Sequence, residues 1–242
     1  MCPVIFLLDT SSSMSWTPSM FDNLAGAANP IGAVNSAMEN ILPELSTMNE
    51  KNPDIEIQIA VMKFDFGAEW VSGSALVSPK DYVWRDLDAT GPTSMGAAFR
   101  ELNKKLTTKE GGFMKRASGS VAPVLFLLSD GEPTDDYSAG LQELQQNNWY
   151  KVAARVAIGY GDANDGILCE FTMNKETVLH TNNPTDLMKM IKFVTITSSM
   201  VASSGKSGGG DDNTGKVGEE MKTQTLSGGG ALGENASTDE EW

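Results

Sequence analysis

The feature that most restricts how this chain can fold is a run of five apolar residues, Val4-Ile5-Phe6-Leu7-Leu8, that ends on Asp9. The run does not alternate with polar residues, so a strand made from it is buried on both faces, as in a parallel sheet covered by helices. A second run, from Pro123 to Ser129, ends on Asp130 in the same way. Open α/β sheets bind ligands outside the carboxyl ends of their strands, which makes both aspartates candidates for one site. Behind Asp9 come Thr10, Ser11, Ser12 and Ser13. Asp9, Ser11 and Ser13 offer one carboxylate and two hydroxyl oxygens, a donor set for a hard cation such as Mg²⁺ rather than a soft metal.

The stretch between these runs reads as alternating helices and strands. Asn29 and Pro30 suit a helix cap and first turn, and Ile31, Val34, Met38, Ile41, Leu42 and Leu45 recur at helical spacing. Pro43 lies within that pattern and is expected to kink or end the helix. Residues 55–64 alternate as a strand, followed by a short edge strand through Trp70 and Val71; residues 77–87 read as extended or irregular. Gly91 and Pro92 interrupt the chain before a helix marked by Met95, Phe99, Leu102 and Leu106, with Thr93 or Ser94 as its cap.

After Asp130, a helix is expected to start near Asp135, with Asp135 and Asp136 as capping residues, and to run through Leu141 and Leu144. A strand over 151–158, a short helix over 166–173 and a short strand at Val178 and Leu179 follow. Asn183 and Pro184 then open a final helix reaching about Ser198, with Leu187, Met190, Ile191 and Val194 facing inward. The predicted fold class is α/β: a doubly wound, mostly parallel, Rossmann-like sheet with helices on both faces and one antiparallel edge strand.

From Ser203 the pattern stops. Residues 203–242 hold ten glycines, and three lysines against eight acids, which predicts a flexible acidic Gly/Ser-rich tail behind a domain spanning 1–202. The net charge of −14 argues against a nucleic-acid partner. No apolar run approaches the roughly 20 residues of a membrane helix, so membrane insertion is not expected. The amino terminus lacks a signal-peptide pattern, and Cys2 and Cys169 are the only cysteines, so a cytoplasmic, reduced protein is expected. His180 is the only histidine, which disfavours Ser-His-Asp catalysis and His-rich zinc sites.

Asp9-x-Ser11-x-Ser13, then Thr93, then Asp130, in that order, resembles the von Willebrand factor A (vWA) domain family and its metal-ion-dependent adhesion site. The resemblance covers roughly residues 3–197. It implies a divalent cation, Mg²⁺ or else Mn²⁺ or Ca²⁺, held by Asp9, Ser11, Ser13, Thr93 and Asp130. It also implies a protein partner whose Asp or Glu completes the metal's coordination, and binding rather than catalysis. Within the family, residues 127–135 and 91–96 look most like the bacterial vWA proteins associated with tellurium resistance and stress response. Residues 14–29 are longer than that branch's link to the first helix. In this stretch Trp16, Met20 and Phe21 read either as a partner-contact surface or as packing onto the domain. Trp242, behind three acids, reads as a docking anchor or as part of a solvated tail.

Two other functions compete. A Mg²⁺-dependent phosphotransfer enzyme of haloacid-dehalogenase-like layout would need Asp-x-Asp-x-Thr here, and position 11 is a serine. A scaffold subunit could instead act through its tail.

Overall fold

The computed structural model describes residues 1–15, 29–51, 56–114, 121–204 and 213–227. The first strand, β1 (Cys2–Asp9), is buried along its whole length. It lies at the centre of a six-stranded sheet of order β3-β2-β1-β4-β5-β6, with β2 Ile57–Phe64, β3 Ala68–Trp70, β4 Val124–Ser129, β5 Ala154–Tyr160 and β6 Val178–Thr181. All pairings are parallel except β2 with β3 at one edge.

The unbroken apolar run of β1 serves two separate cores. Cys2, Val4, Phe6 and Leu8 pack on one face with α1 (Pro30–Lys51) and α6 (Pro184–Ser204). Ile5 and Leu7 pack on the other with α2 (Met95–Lys105), α3 (Tyr137–Gln145), α4 (Asn148–Val152) and α5 (Asp165–Thr172). The doubly wound α/β architecture expected from the strand pattern is therefore the one observed.

The chain passes from β1 to β2 on one side and later returns through α2 to β4 on the other side of β1. The sheet's connection order thus reverses between β1 and β4. Such a switch point opens a crevice at the carboxyl ends of the two strands. Asp9 ends β1, and Asp130 directly follows β4.

Several local expectations change. Pro43 does not end α1, which continues to Lys51. Both Pro43 and Glu39, whose carbonyl loses its helical donor there, are exposed, so water can take the missing bond. Lys151 and Val152 belong to α4 rather than to a strand, because the Asn147 side chain accepts from the Trp149 N–H at 2.9 Å and starts a helix. The helix expected to stop near Ser198 runs to Ser204.

The flexible-tail expectation is corrected for residues 213–227, which form a further helix, α7 (Asn213–Ser227). Its two glycines and low apolar content hid it, but Val217 and Met221, one turn apart, are buried in the α1–α6 core. Asn213 Nδ2 donates to the Val152 carbonyl at 2.7 Å, and Thr214 Oγ1 donates to the Ala153 carbonyl at 3.0 Å. These bonds fasten α7 to the start of β5. Tertiary packing, not local propensity, makes this helix. Deleting residues 205–242 is expected to lower unfolding stability by about 2–4 kcal/mol, from two lost apolar side chains offset by ordering entropy. Urea denaturation measures it; an unchanged midpoint would mean that α7 adds nothing to the fold.

Candidate functional site

The site is assembled at the β1/β4 crevice from three loops. The loop after β1 turns at once into a short 3-10 turn, Ser12–Ser15, with Met14 buried beneath it. The Ser11 N–H donates to Asp9 Oδ1 at 2.8 Å, closing an Asx turn that carries Ser11 and Ser13 back over the carboxylate. Ser11 Oγ and Ser13 Oγ are 3.1 Å apart, and Ser13 Oγ donates to Asp130 Oδ1 at 2.7 Å. The two strand-end aspartates are thereby linked through one serine ladder.

Thr93 arrives from the loop before α2. The Ser12 N–H donates to the Gly91 carbonyl at 2.9 Å, and the Thr90 N–H donates to the Thr10 carbonyl at 2.7 Å. These two bonds pin the Thr93 loop beside the Asp9 loop. Ser13 Oγ and Thr93 Oγ1 lie 3.5 and 3.6 Å from the point where a Cβ on Gly131 would stand. Asp9, Ser11, Ser13, Thr93 and Asp130 thus converge on one end of the sheet. Trp16, Met20, Phe21 and Trp242 lie outside the described residues.

Some supporting residues escaped the sequence reading. Ser129 Oγ donates to Asp9 Oδ2 at 2.5 Å. Thr93 and Thr134 bind each other reciprocally: the Thr93 N–H donates to Thr134 Oγ1 at 3.0 Å, and the Thr134 N–H donates to the Thr93 carbonyl at 2.9 Å. Neither Thr93 nor Ser94 caps α2 with its side chain. Asp135, from the loop after β4, accepts from the Gly96 and Ala97 N–H groups at 2.8 and 2.9 Å and caps α2 in their place. Asp136 caps its own helix, α3, through the Ala139 N–H at 3.1 Å. A Ser directly before the strand-end aspartate, and Thr-Asp just after it, were the available signals, but the partners are about 40 and 120 residues away in sequence.

The electrostatics centre on two buried carboxylates. Asp9 is 0% exposed and Asp130 8%. Burial raises the Asp9 pKa above its ordinary value, against the hydrogen bonds from Ser11 and Ser129. Burial likewise pushes Asp130 up to about 6; the Ser13 hydroxyl opposes this, and the Asp9 charge adds to it. No ion pair among the described residues involves either carboxylate. Nor do three His, Cys, Asp or Glu side chains among them group so as to hold a metal ion. The donor set is purely oxygen, two carboxylates and three hydroxyls, and it fits a hard divalent cation whose charge would relieve the paired acids.

A pH dependence follows. A group whose folded-state pKa is raised stabilises the fold at low pH and loses that contribution as pH rises through the folded value. In metal-free buffer the domain is expected to be more stable at pH 5 than at pH 7.5, with Asp130 alone worth about 1 kcal/mol over that window after allowance for its partial solvent contact. His180 acts in the same direction. Burial pulls its pKa down, but bonds to Asp165 at 2.7 Å and to the Gly161 carbonyl at 2.8 Å outweigh this and leave it raised. Thermal melts in EDTA at the two pH values test it; equal melting temperatures would refute it.

The sequence profile of the von Willebrand factor type A domain matches residues 4–194. The chain belongs to the vWA domain family. No curated protein sequence matches it. Among solved structures, the vWA domain resembles the ArnB paralog VWA2 from Sulfolobus acidocaldarius (TM-score 0.54, 21% identity, covering 79% of this chain and 44% of that one). It also resembles proximal thread matrix protein 1 from the mussel byssus, solved with a zinc-occupied MIDAS motif (TM-score 0.51, 17% identity, 80% and 46% covered). A third likeness is the pilus adhesin SpaC from Lactobacillus rhamnosus GG (TM-score 0.57, 14% identity, 79% and 30% covered). At these identities the likeness is one of fold. The chain spans less than half the length of each of these proteins. The family match ends at residue 194, so α7 lies beyond it.

Proposed function

We propose that this vWA domain is a metal-dependent protein-docking module. Asp9, Ser11, Ser13, Thr93 and Asp130 hold a hard divalent cation, Mg²⁺ in the first instance, and an Asp or Glu of a partner protein completes its coordination. One observation carries the reading: two buried carboxylates, bridged by serine hydroxyls and without an ion-pair partner among the described residues, stand at the switch point of the sheet. Two buried like charges side by side are costly unless a cation joins them. With three hydroxyls in place of further acids, the cation keeps enough positive charge to attract an outside carboxylate.

The domain acts as an adaptor and not as an enzyme. Position 11 supplies a hydroxyl where a phosphotransfer site of the competing layout needs a second acid. The mussel protein with a zinc-occupied MIDAS supports divalent-metal binding on this fold. The resemblance of residues 127–135 and 91–96 to the tellurium-resistance branch supports a cytoplasmic role in a bacterial stress or defence system. The absence of any helix long and apolar enough to cross a membrane, among the described residues, accords with it. The tail reading narrows to residues beyond α7.

Affinity purification with wild type and Asp9→Ala in parallel, each with Mg²⁺ and with EDTA, tests the module. The partner is expected only with wild type in Mg²⁺. Equal retention in EDTA would refute a metal-dependent dock.

A further inference from the structure

Phe66 is an apolar residue held out beside the site. It follows Asp65 at the carboxyl end of β2, and Phe64, the last residue of that strand, pairs directly with Asp9 across the β1–β2 ladder. Phe66 is 75% exposed. Large aromatic side chains left this bare on an otherwise well-packed sheet edge concentrate binding energy when a partner covers them.

The residue is also fixed in place. Its N–H donates to Asp65 Oδ1 at 2.6 Å, and Asp65 in turn accepts from Thr10 Oγ1 and from Lys63, both at 3.2 Å. The ring lies close against Gly91, so that a Cβ there would meet Phe66 carbons at 2.6–3.0 Å. Gly91 has φ +77°, a conformation suited to glycine, and its carbonyl accepts from Ser12. The ring therefore rests on the same loop that presents Thr93, two residues on. An aromatic side chain held this way loses little freedom on binding.

We infer that Phe66 is a second contact point for the partner and sets its side-chain chemistry, an inference that rests on the metal-dependent reading above. The partner segment carries one Asp or Glu for the cation and an aliphatic or aromatic residue that covers Phe66. Gly91, against the ring, stands two residues before Thr93, so the acid and the covering residue of the partner segment are expected a few extended residues apart, at roughly 3.3 Å for each residue. Charge narrows the partner further. Asp65, which accepts from the Phe66 N–H, is acidic, and Lys63 is paired with Asp65 and Glu69 at 3.2 and 3.5 Å. A second acid beside the first would face repulsion, so the rest of the segment is neutral or basic.

Fluorescently labelled nine-residue peptides test this. Each carries a single Glu, with Leu or Ser two, three or four positions away, and binding is read by anisotropy in Mn²⁺ and in EDTA. For at least one spacing the Leu peptide is expected to bind wild type about tenfold more tightly than its Ser counterpart. Phe66→Ala should remove that preference, leave Mn²⁺ binding and the melting temperature unchanged, and keep the Glu-dependent binding. Phe66→Leu should keep most of the preference. If Glu peptides bind in Mn²⁺ but Leu and Ser are equivalent, or the preference survives in Phe66→Ala, the Phe66 assignment falls and the metal-dependent reading stands. If no Glu peptide binds in Mn²⁺, or binding is equal in EDTA, the metal-dependent reading falls and this inference with it.

Discussion

Replacing Asp9 by Asn is expected to abolish stabilisation by divalent cations and, in the same protein, to make the metal-free domain more stable. The two effects have one cause. Asp9 is buried, its pKa is raised by that burial, and it lies beside a second buried carboxylate, Asp130. Without a cation, the ionised pair costs stability. Asn keeps an acceptor for the Ser11 N–H and a partner for the Ser129 hydroxyl, so it removes the charge without orphaning either group. Wild type in Mg²⁺ at a hundred times its dissociation constant should gain about 2.7 kcal/mol. For a domain of this size that corresponds to a rise of roughly 5–10 °C in melting temperature. Asp9→Asn should gain nothing while melting above metal-free wild type. Scanning calorimetry with and without Mg²⁺ measures both, and a variant still stabilised by Mg²⁺ would place the cation elsewhere.

Gly96→Ala should lower both stability and cation affinity, although no chemistry is assigned to this residue. A Cβ there would stand 2.5 Å from the Asp136 carbonyl oxygen and 2.9 Å from Tyr137 Cα. Both obstacles are backbone, so no rotamer change relieves them. Alanine in a helix gains about 1 kcal/mol over glycine, whereas overpacking costs about 1–3 kcal/mol and more when backbone must shift. The clash wins, and a net loss of about 2 kcal/mol is expected. Function should suffer as well. The shift separates the first turn of α2 from the loop after β4, which breaks the Asp135 cap and the Thr93–Thr134 exchange. Thr93 would then be misplaced, and cation affinity should fall with stability. A Cβ on Gly140, in α3, would meet the same contact from the other side, 2.7 Å from the Gly96 carbonyl oxygen, and its alanine variant should behave alike. Urea titration and cation calorimetry on the two variants decide this. Wild-type stability in both would show that the helices can part at no cost.

The candidate ligands were legible because the spacing that makes them is local. Asp9, Ser11 and Ser13 lie in one turn, and Asp130 repeats the design of a strand ending in a carboxylate. Thr93 was legible from the helix-opening loop around it. What holds Thr93 was not, since Thr134 reaches it, and Asp135 reaches the helix start beside it, from a loop about 40 residues further on. Ser129 likewise reads as one more strand residue until its hydroxyl is seen on Asp9, 120 residues earlier. The α7 helix was missed for a related reason. Its sequence has weak helical preference, and the surface that makes it fold is supplied by β5 and α6.

The chain on its own determined the sheet, its central strand and the order in which acids and hydroxyls appear. A long apolar run has only one stable burial, between two layers of helices, and its polar end must then lie at the sheet's edge. Only the tertiary structure decided which loops brace one another, where α7 docks, and that Phe66 stands uncovered on Gly91. Those depend on distances between residues far apart in sequence, and local preferences carry no record of them.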